Sequence, residues 1–107
     1  MTNNKEKRKG IPIHSGVLMY FPEAIAAVAE CSKVGNDQHN PDKHLHWDRA
    51  KSGDELDALT RHLMDAGKLD DDGIRHSTKV AWRALANLQK EIESETIDFS
   101  VNYEVNK

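Results

Sequence analysis

The stretch 71-DDGIRHSTKVAWRALANLQKEIE-93 decides the fold. Ile74, Ala81, Leu85, Leu88 and Ile92 recur at steps of 7, 4, 3 and 4, the period of an α-helix and not of a strand. Asp71 or Asp72 can cap the start, and the pattern holds to about Glu93. The other side of this helix carries His76, Lys79, Arg83, Asn87 and Lys90. The expected arrangement is an apolar stripe turned to a core and a polar face turned away.

Working outward, 52-SGDELDALTRHLMDAG-67 reads as a second amphipathic helix. Ser52 followed three residues later by Glu55 has the form of a capping box, and Gly67 marks the end. Leu56, Leu59, Leu63 and Ala66 share one face; Asp54, Asp57, Arg61 and Asp65 share the opposite one; His62 sits at the boundary. Upstream, 21-FPEAIAAVAECSKVGN-36 predicts a helix that opens on Pro22 and Glu23 and closes at Gly35 or Asn36. A polar loop over 36–51 holds His39, His44, His46 and Trp47, and loops this long in small domains are often functional. Residues 10–20, broken by Gly10, Pro12 and Gly16, read as extended or irregular but packed. In the tail, Ile97, Phe99, Val101, Tyr103 and Val105 alternate with polar residues, a strand signal with no evident partner. The chain is thus expected to be all-α: a compact bundle of about three main helices with an extended N-terminal segment and a short strand-like or flexible C-terminal tail. Its divisions are a basic flexible start over 1–9, one helical domain over 10–94 and an extended tail over 95–107.

Composition narrows the classes. With 107 residues, 37% hydrophobic and 31% charged, the chain has enough for one modest core. Helices with such narrow stripes bury little alone, which points to a homo-oligomer. The net charge is -3, and the basic start (Lys5, Lys7, Arg8 and Lys9 against Glu6) is too short to argue for nucleic acid. Cys31 is the single cysteine, so neither an internal disulfide nor a thiolate zinc site is expected. No stretch reads as a membrane span or a secretory leader, and a cytoplasmic protein is expected.

Three constellations carry chemistry. Asp54, Asp57 and Asp65 lie on one helical face, spaced to reach a hard cation such as Mg²⁺ whose shell phosphate oxygens complete; the alternative is a solvated face on which Arg61 pairs with its neighbours. His76, Lys79 and Arg83 line one side of the last helix beside Trp82, cations for phosphate and a ring that either stacks on a base or plugs the core. His39, His44, His46, His62 and His76 would suit a transition metal if they converged, although their spacing matches no standard zinc pattern.

Taken in order, FPEA opening a helix, a Gly closing it, HW at 46–47, DAL-RHL at 57–63, an Asp-containing loop, then His76 followed by AW at 81–82 resemble a family of small phage proteins. The family is that of the N-terminal domain of phage dATP/dGTP diphosphohydrolases, and the resemblance covers roughly residues 8–93. It implies an all-α protein related to the MazG-like pyrophosphohydrolases, which cut between the α- and β-phosphates with carboxylate-held Mg²⁺ and act as dimers or higher oligomers. The matching residues are Glu23, Trp47, Asp57, Arg61, His62, Asp65, His76 and Trp82. The EExxE and ExxD carboxylate motifs of the wider group are missing; the first helix offers only Glu23 and Glu30.

On this reading the substrate is a purine deoxynucleoside triphosphate, cleaved to monophosphate and pyrophosphate in the cytoplasm of an infected bacterial host. Asp57, Asp65 and Glu23 would hold Mg²⁺; Asp57, His62 and Asp65 would be catalytic; Trp47, Arg61, His76, Lys79, Trp82 and Arg83 would bind the nucleotide. A second expectation is a phage protein that sequesters a nucleotide signal without cutting it. A third is a helical interaction protein with no ligand.

Overall fold

The computed structural model describes residues 5–106, with side chains described to Glu95. Helices account for the architecture: α1 (Lys5–Lys9), a wide helical turn (His14–Leu18), α2 (Pro22–His39), a short 3₁₀ turn (Arg49–Lys51), α3 (Glu55–Met64) and α4 (His76–Asn106). The all-α expectation holds. Several local expectations change. The 10–20 segment winds into the His14–Leu18 turn, because Gly16 and Met19 donate their backbone N–H back to Pro12 and His14. The backbone of α4 continues as one helix through the stretch whose alternation suggested a strand.

Pro22 occupies the first turn of α2, where no N–H is required of it, and Glu23 beside it meets the positive end of the helix dipole. The helix does not stop at Gly35 but runs on to His39. Tertiary packing overrides the glycine: Asn36 is buried, and its side-chain amide donates to the Lys43 carbonyl of the following loop.

The turn between α3 and α4 is closely specified. Gly67 and Gly73 adopt left-handed backbone (φ 94° and 81°), which a side chain would oppose. Asp70 N–H donates to Ile74 O at 2.8 Å, and Leu69 pairs with Arg75 in an antiparallel bridge. His76 N–H donates to Lys68 O at 3.0 Å, so α4 begins at His76 rather than at the aspartates. Asp72 serves the turn itself by accepting Ile74 N–H.

The apolar stripes were located correctly along α3 and α4, but they are not what the two helices bury. Leu56, Leu63, Leu85, Leu88 and Ile92 are all exposed, at 54% for Leu63 and 50% for Leu85. The helices meet instead through Glu55, Ala58 and His62 on α3 and His76, Arg83, Ala86 and Lys90 on α4. Small Ala58 and Ala86 allow that approach. Among the described residues the buried hydrophobic core is only Ala58, Ile74 and Ala86. Between α3 and α4 polar side chains face inward, while Leu56, Leu63, Leu85, Leu88 and Ile92 face outward.

Candidate functional site: the polar seam between α3 and α4

One end of the seam is built on Glu55. In the first turn of α3 its side chain is 5% exposed, and it is held by the Ser52 hydroxyl, by Arg83 Nη1 at 3.2 Å and by Lys90 Nζ at 2.9 Å. Burial pushes this carboxyl up, but the hydrogen bonds from Ser52 and Lys90 outweigh it and the group lies below the usual carboxylate range. Asp54 takes Arg61 Nη2 at 3.3 Å and lies 3.7 Å from Arg83; the Arg61 hydrogen bond lowers its carboxyl. A shallow groove of about 310 Å³ opens here, lined by Asp54, Glu55, Asp57, Asn87 and Lys90.

The loop after α2 adds an aromatic wall. Trp47 and Trp82 meet edge to face, with ring centres 5.6 Å apart. Arg49 stacks over Trp47 at 4.3 Å and Lys90 approaches the same ring at 5.8 Å, while Arg83 lies 5.6 Å from the Trp82 ring. Trp82 is fixed by a hydrogen bond from Nε1 to Ser32 Oγ at 2.6 Å, and Arg49 is fixed by a two-pronged contact with Glu93 at 3.0 and 3.1 Å. Two indoles and three cations therefore share one side of the molecule with an open groove.

The other end of the seam is a histidine cluster. His62 in the last turn of α3 and His76 at the start of α4 face each other, with Nδ1 atoms 2.8 Å apart. Asp70 Oδ1 lies 3.9 Å from His76 Nε2. Lys79 Nζ bridges Asp70 at 2.6 Å and Asp72 at 2.8 Å. Hydrogen bonds from Lys79 and from the Asp71 N–H hold the Asp70 carboxyl at about 2. Burial would lower the Lys79 ammonium, but the two aspartates raise it above its ordinary value, so it stays charged. Burial, and after it the charge of Lys79, lowers His62 below its ordinary value.

The sequence-expected residues divide accordingly. Trp47, His62, His76, Lys79, Trp82 and Arg83 come together along the seam. Asp57 lines the groove, and its side chain makes no hydrogen bond or ion pair among the described residues. Arg61 is tied to Asp54, and Asp65, just past α3, lies 3.8 Å from Lys68. Glu23 lies exposed in the first turn of α2 and makes no contact with Asp57 or Asp65, so these three do not converge on one cation within the chain. Of the five histidines considered for a metal, only His62 and His76 meet; His39 ends α2, while His44 and His46 are exposed in the loop.

Glu55, Asp70, Asp72, Lys90 and Arg49 were not foreseen. A signal was available: Lys79, Arg83 and Lys90 lie on one face of α4, and a row of cations facing another helix requires acids opposite. Glu55 had been read only as a cap.

The comparisons with known proteins identify the family. The family model described as dATP/dGTP diphosphohydrolase, N-terminal, matches residues 2–100, and the chain belongs to that family. Neither the curated proteins nor the solved structures gave a match. Among the described residues no single helix is long and apolar enough to cross a membrane; the Lys5–Leu18 and Pro22–His39 segments reach that apolarity only together, bent by 90°.

Proposed function

We propose, from that family membership as the premise, that the protein hydrolyses dATP or dGTP to the monophosphate and pyrophosphate in the cytoplasm of a phage-infected bacterium. The observation that carries this reading is the aromatic and cationic wall beside the groove. Trp47 would take a purine against its ring if the base displaced Arg49, which stacks over it at 4.3 Å, and Lys90 and Arg83 are placed to neutralise phosphate charge. Carboxylates keep these cations in position until a triphosphate competes for them.

Mg²⁺ fits the groove by the chemistry of its donors. This ion is commonly held by one or two carboxylates, with substrate phosphates and water filling the rest of its shell. Asp57, which has no partner among the described residues, and Asp54 three residues before it would supply them. The ion would polarise the phosphate that is attacked. The chain's own groups would orient the triphosphate through Lys90 and Asn87 and hold the base against Trp47.

A homo-oligomer belongs to the same reading. Among the described residues, five leucine and isoleucine side chains on α3 and α4 lie exposed while the buried hydrophobic core consists of three residues. A second copy laid on those stripes would remove them from water, at roughly 25 cal/mol per Å² of apolar surface buried.

One observation favours the non-catalytic alternative, in which the protein sequesters a nucleotide. The expected Glu23, Asp57 and Asp65 trio is not assembled in a single chain. A thermal-shift series with dATP, dGTP and dCTP, with and without Mg²⁺, followed by chromatography of each ligand, separates the two readings. Hydrolysis predicts a purine-selective shift and recovery of monophosphate in the presence of Mg²⁺. A Mg²⁺-independent shift with the nucleotide recovered intact would replace the enzyme by the sequestering protein.

A further inference from the structure

We propose that His62, Asp70 and His76 form a binding site for a divalent transition-metal cation of the zinc class, separate from the carboxylate groove. Among the described residues these three bring one imidazole nitrogen each and a carboxylate oxygen within 4.8 Å of one another. A tetrahedral ion with bonds of about 2.1 Å holds its ligands roughly 3.4 Å apart, so modest side-chain rotation closes the set around one ion. Two imidazoles and one carboxylate suit Zn²⁺, Co²⁺ or Ni²⁺; Mg²⁺ prefers an all-oxygen shell. Three protein ligands leave a fourth position for water or a phosphate oxygen.

The pair of rings supports the assignment directly. Only one proton can lie between two Nδ1 atoms 2.8 Å apart, so one ring points a lone pair at the other. Asp70 Oδ1, at 3.9 Å from His76 Nε2, is aimed at the same ring from beyond hydrogen-bonding distance. His62 faces Nδ1 of His76 and Asp70 faces its Nε2, so a single cation takes one of these two nitrogens, brought to it by a turn of the His76 ring, together with the His62 nitrogen and the Asp70 carboxylate. The three side chains are half-buried, and they come from the end of α3, the turn and the first residue of α4.

The surroundings are those of a supported ligand set. Asp70 is oriented by Lys79 on Oδ2 and by the Asp71 N–H on Oδ1. Asp70 and Asp72 share the single charge of Lys79, so the pair keeps one net negative charge to meet the cation. The left-handed Gly67 and Gly73 and the Leu69–Arg75 bridge fix the turn that carries Asp70. Metal binding would tie α3 to α4 across a core too thin to hold them tightly by apolar contact alone. This inference does not depend on nucleotide hydrolysis.

The test uses the full chain, freed of metal and titrated with Zn²⁺ by calorimetry and with Co²⁺ by visible spectroscopy. The expected result is one saturable equivalent per chain, the absorption bands of four-coordinate Co²⁺, and a raised Tm. His62→Gln and Asp70→Asn should each weaken binding at least tenfold, while His39→Gln/His44→Gln/His46→Gln retains it. Circular dichroism of the metal-free variants checks that they fold. X-ray absorption on the Zn²⁺-loaded triple variant keeps the test decisive if the single variants unfold, and two imidazoles in the metal's shell are expected. The proposal is overturned if no saturable binding occurs, if folded single variants bind as well as the natural chain, or if the triple variant loses its imidazole ligands.

Discussion

Glu55 and Lys90 meet across the helix pair with 2.9 Å between Oε2 and Nζ, and the carboxylate is almost wholly removed from solvent. With Arg83 as the second cation, this contact pins α3 to α4 where apolar packing is sparse. Truncation by Glu55→Ala leaves Lys90 without its carboxylate and Arg83 with only Asp54, 3.7 Å away. Breaking a fully buried pair costs about 3–5 kcal/mol; since Lys90 and Arg83 are partly hydrated, about 2–3 kcal/mol is expected here. Urea denaturation of the variant beside the natural chain measures it.

The same carboxyl predicts an acid limb of stability. Its folded value is depressed below the ordinary 4.5, so the unfolded chain takes up the proton first. The stabilisation is complete above that value and is lost as pH falls through the depressed one. Asp54, Asp72 and Glu93 are also lowered and slope the same way. Glu55→Gln should therefore flatten, without abolishing, the fall of Tm with pH below about 4.5. An unchanged profile would remove Glu55 as a contributor.

Leu85 and Leu88 define the outward stripe of α4. If a second copy covers it, Leu88→Glu places a charge in an apolar interface and should shift the mass seen by light scattering from oligomer to monomer. On a freely exposed helix the same change would be nearly neutral, within about 0.5 kcal/mol, and would leave the mass unaltered.

Which parts of this were legible beforehand follows from what periodicity can encode. The helical repeats of 56–63 and 74–92 placed α3 and the body of α4, and they located the stripes. A stripe, however, reports only that something must cover it. Whether the cover is the neighbouring helix or another molecule is not written in the spacing, so Leu63 and Leu85 were assigned to a core they do not form. His62 facing His76 was partly legible, because His62 sits at the boundary of the α3 faces and His76 on the polar side of α4, on either side of one turn. Glu55 was hidden by its second identity as a helix-start residue, since Ser-x-x-Glu has an explanation that requires no distant partner. The length of α2 was misjudged because the burial of Asn36 is decided by the loop that packs on it, and Gly35 alone gives no hint of that.

Trp47 is the proposed base platform, and its ring is packed by Arg49, Lys90 and Trp82. Base–aromatic stacking contributes about 1–3 kcal/mol, so Trp47→Ala should weaken purine nucleotide binding about tenfold or more. Titration of dGTP into both proteins by calorimetry reads this. Equal affinity would move the base elsewhere.

Phosphorus NMR of dGTP mixed with the full chain and Mg²⁺ tests the central claim most directly. Cleavage between the α- and β-phosphates predicts that the three triphosphate signals give way to dGMP and pyrophosphate in equal amounts, and that Asp57→Asn slows this by at least tenfold. Three triphosphate signals persisting in the presence of stoichiometric protein would contradict it and leave a protein that binds nucleotides without cutting them.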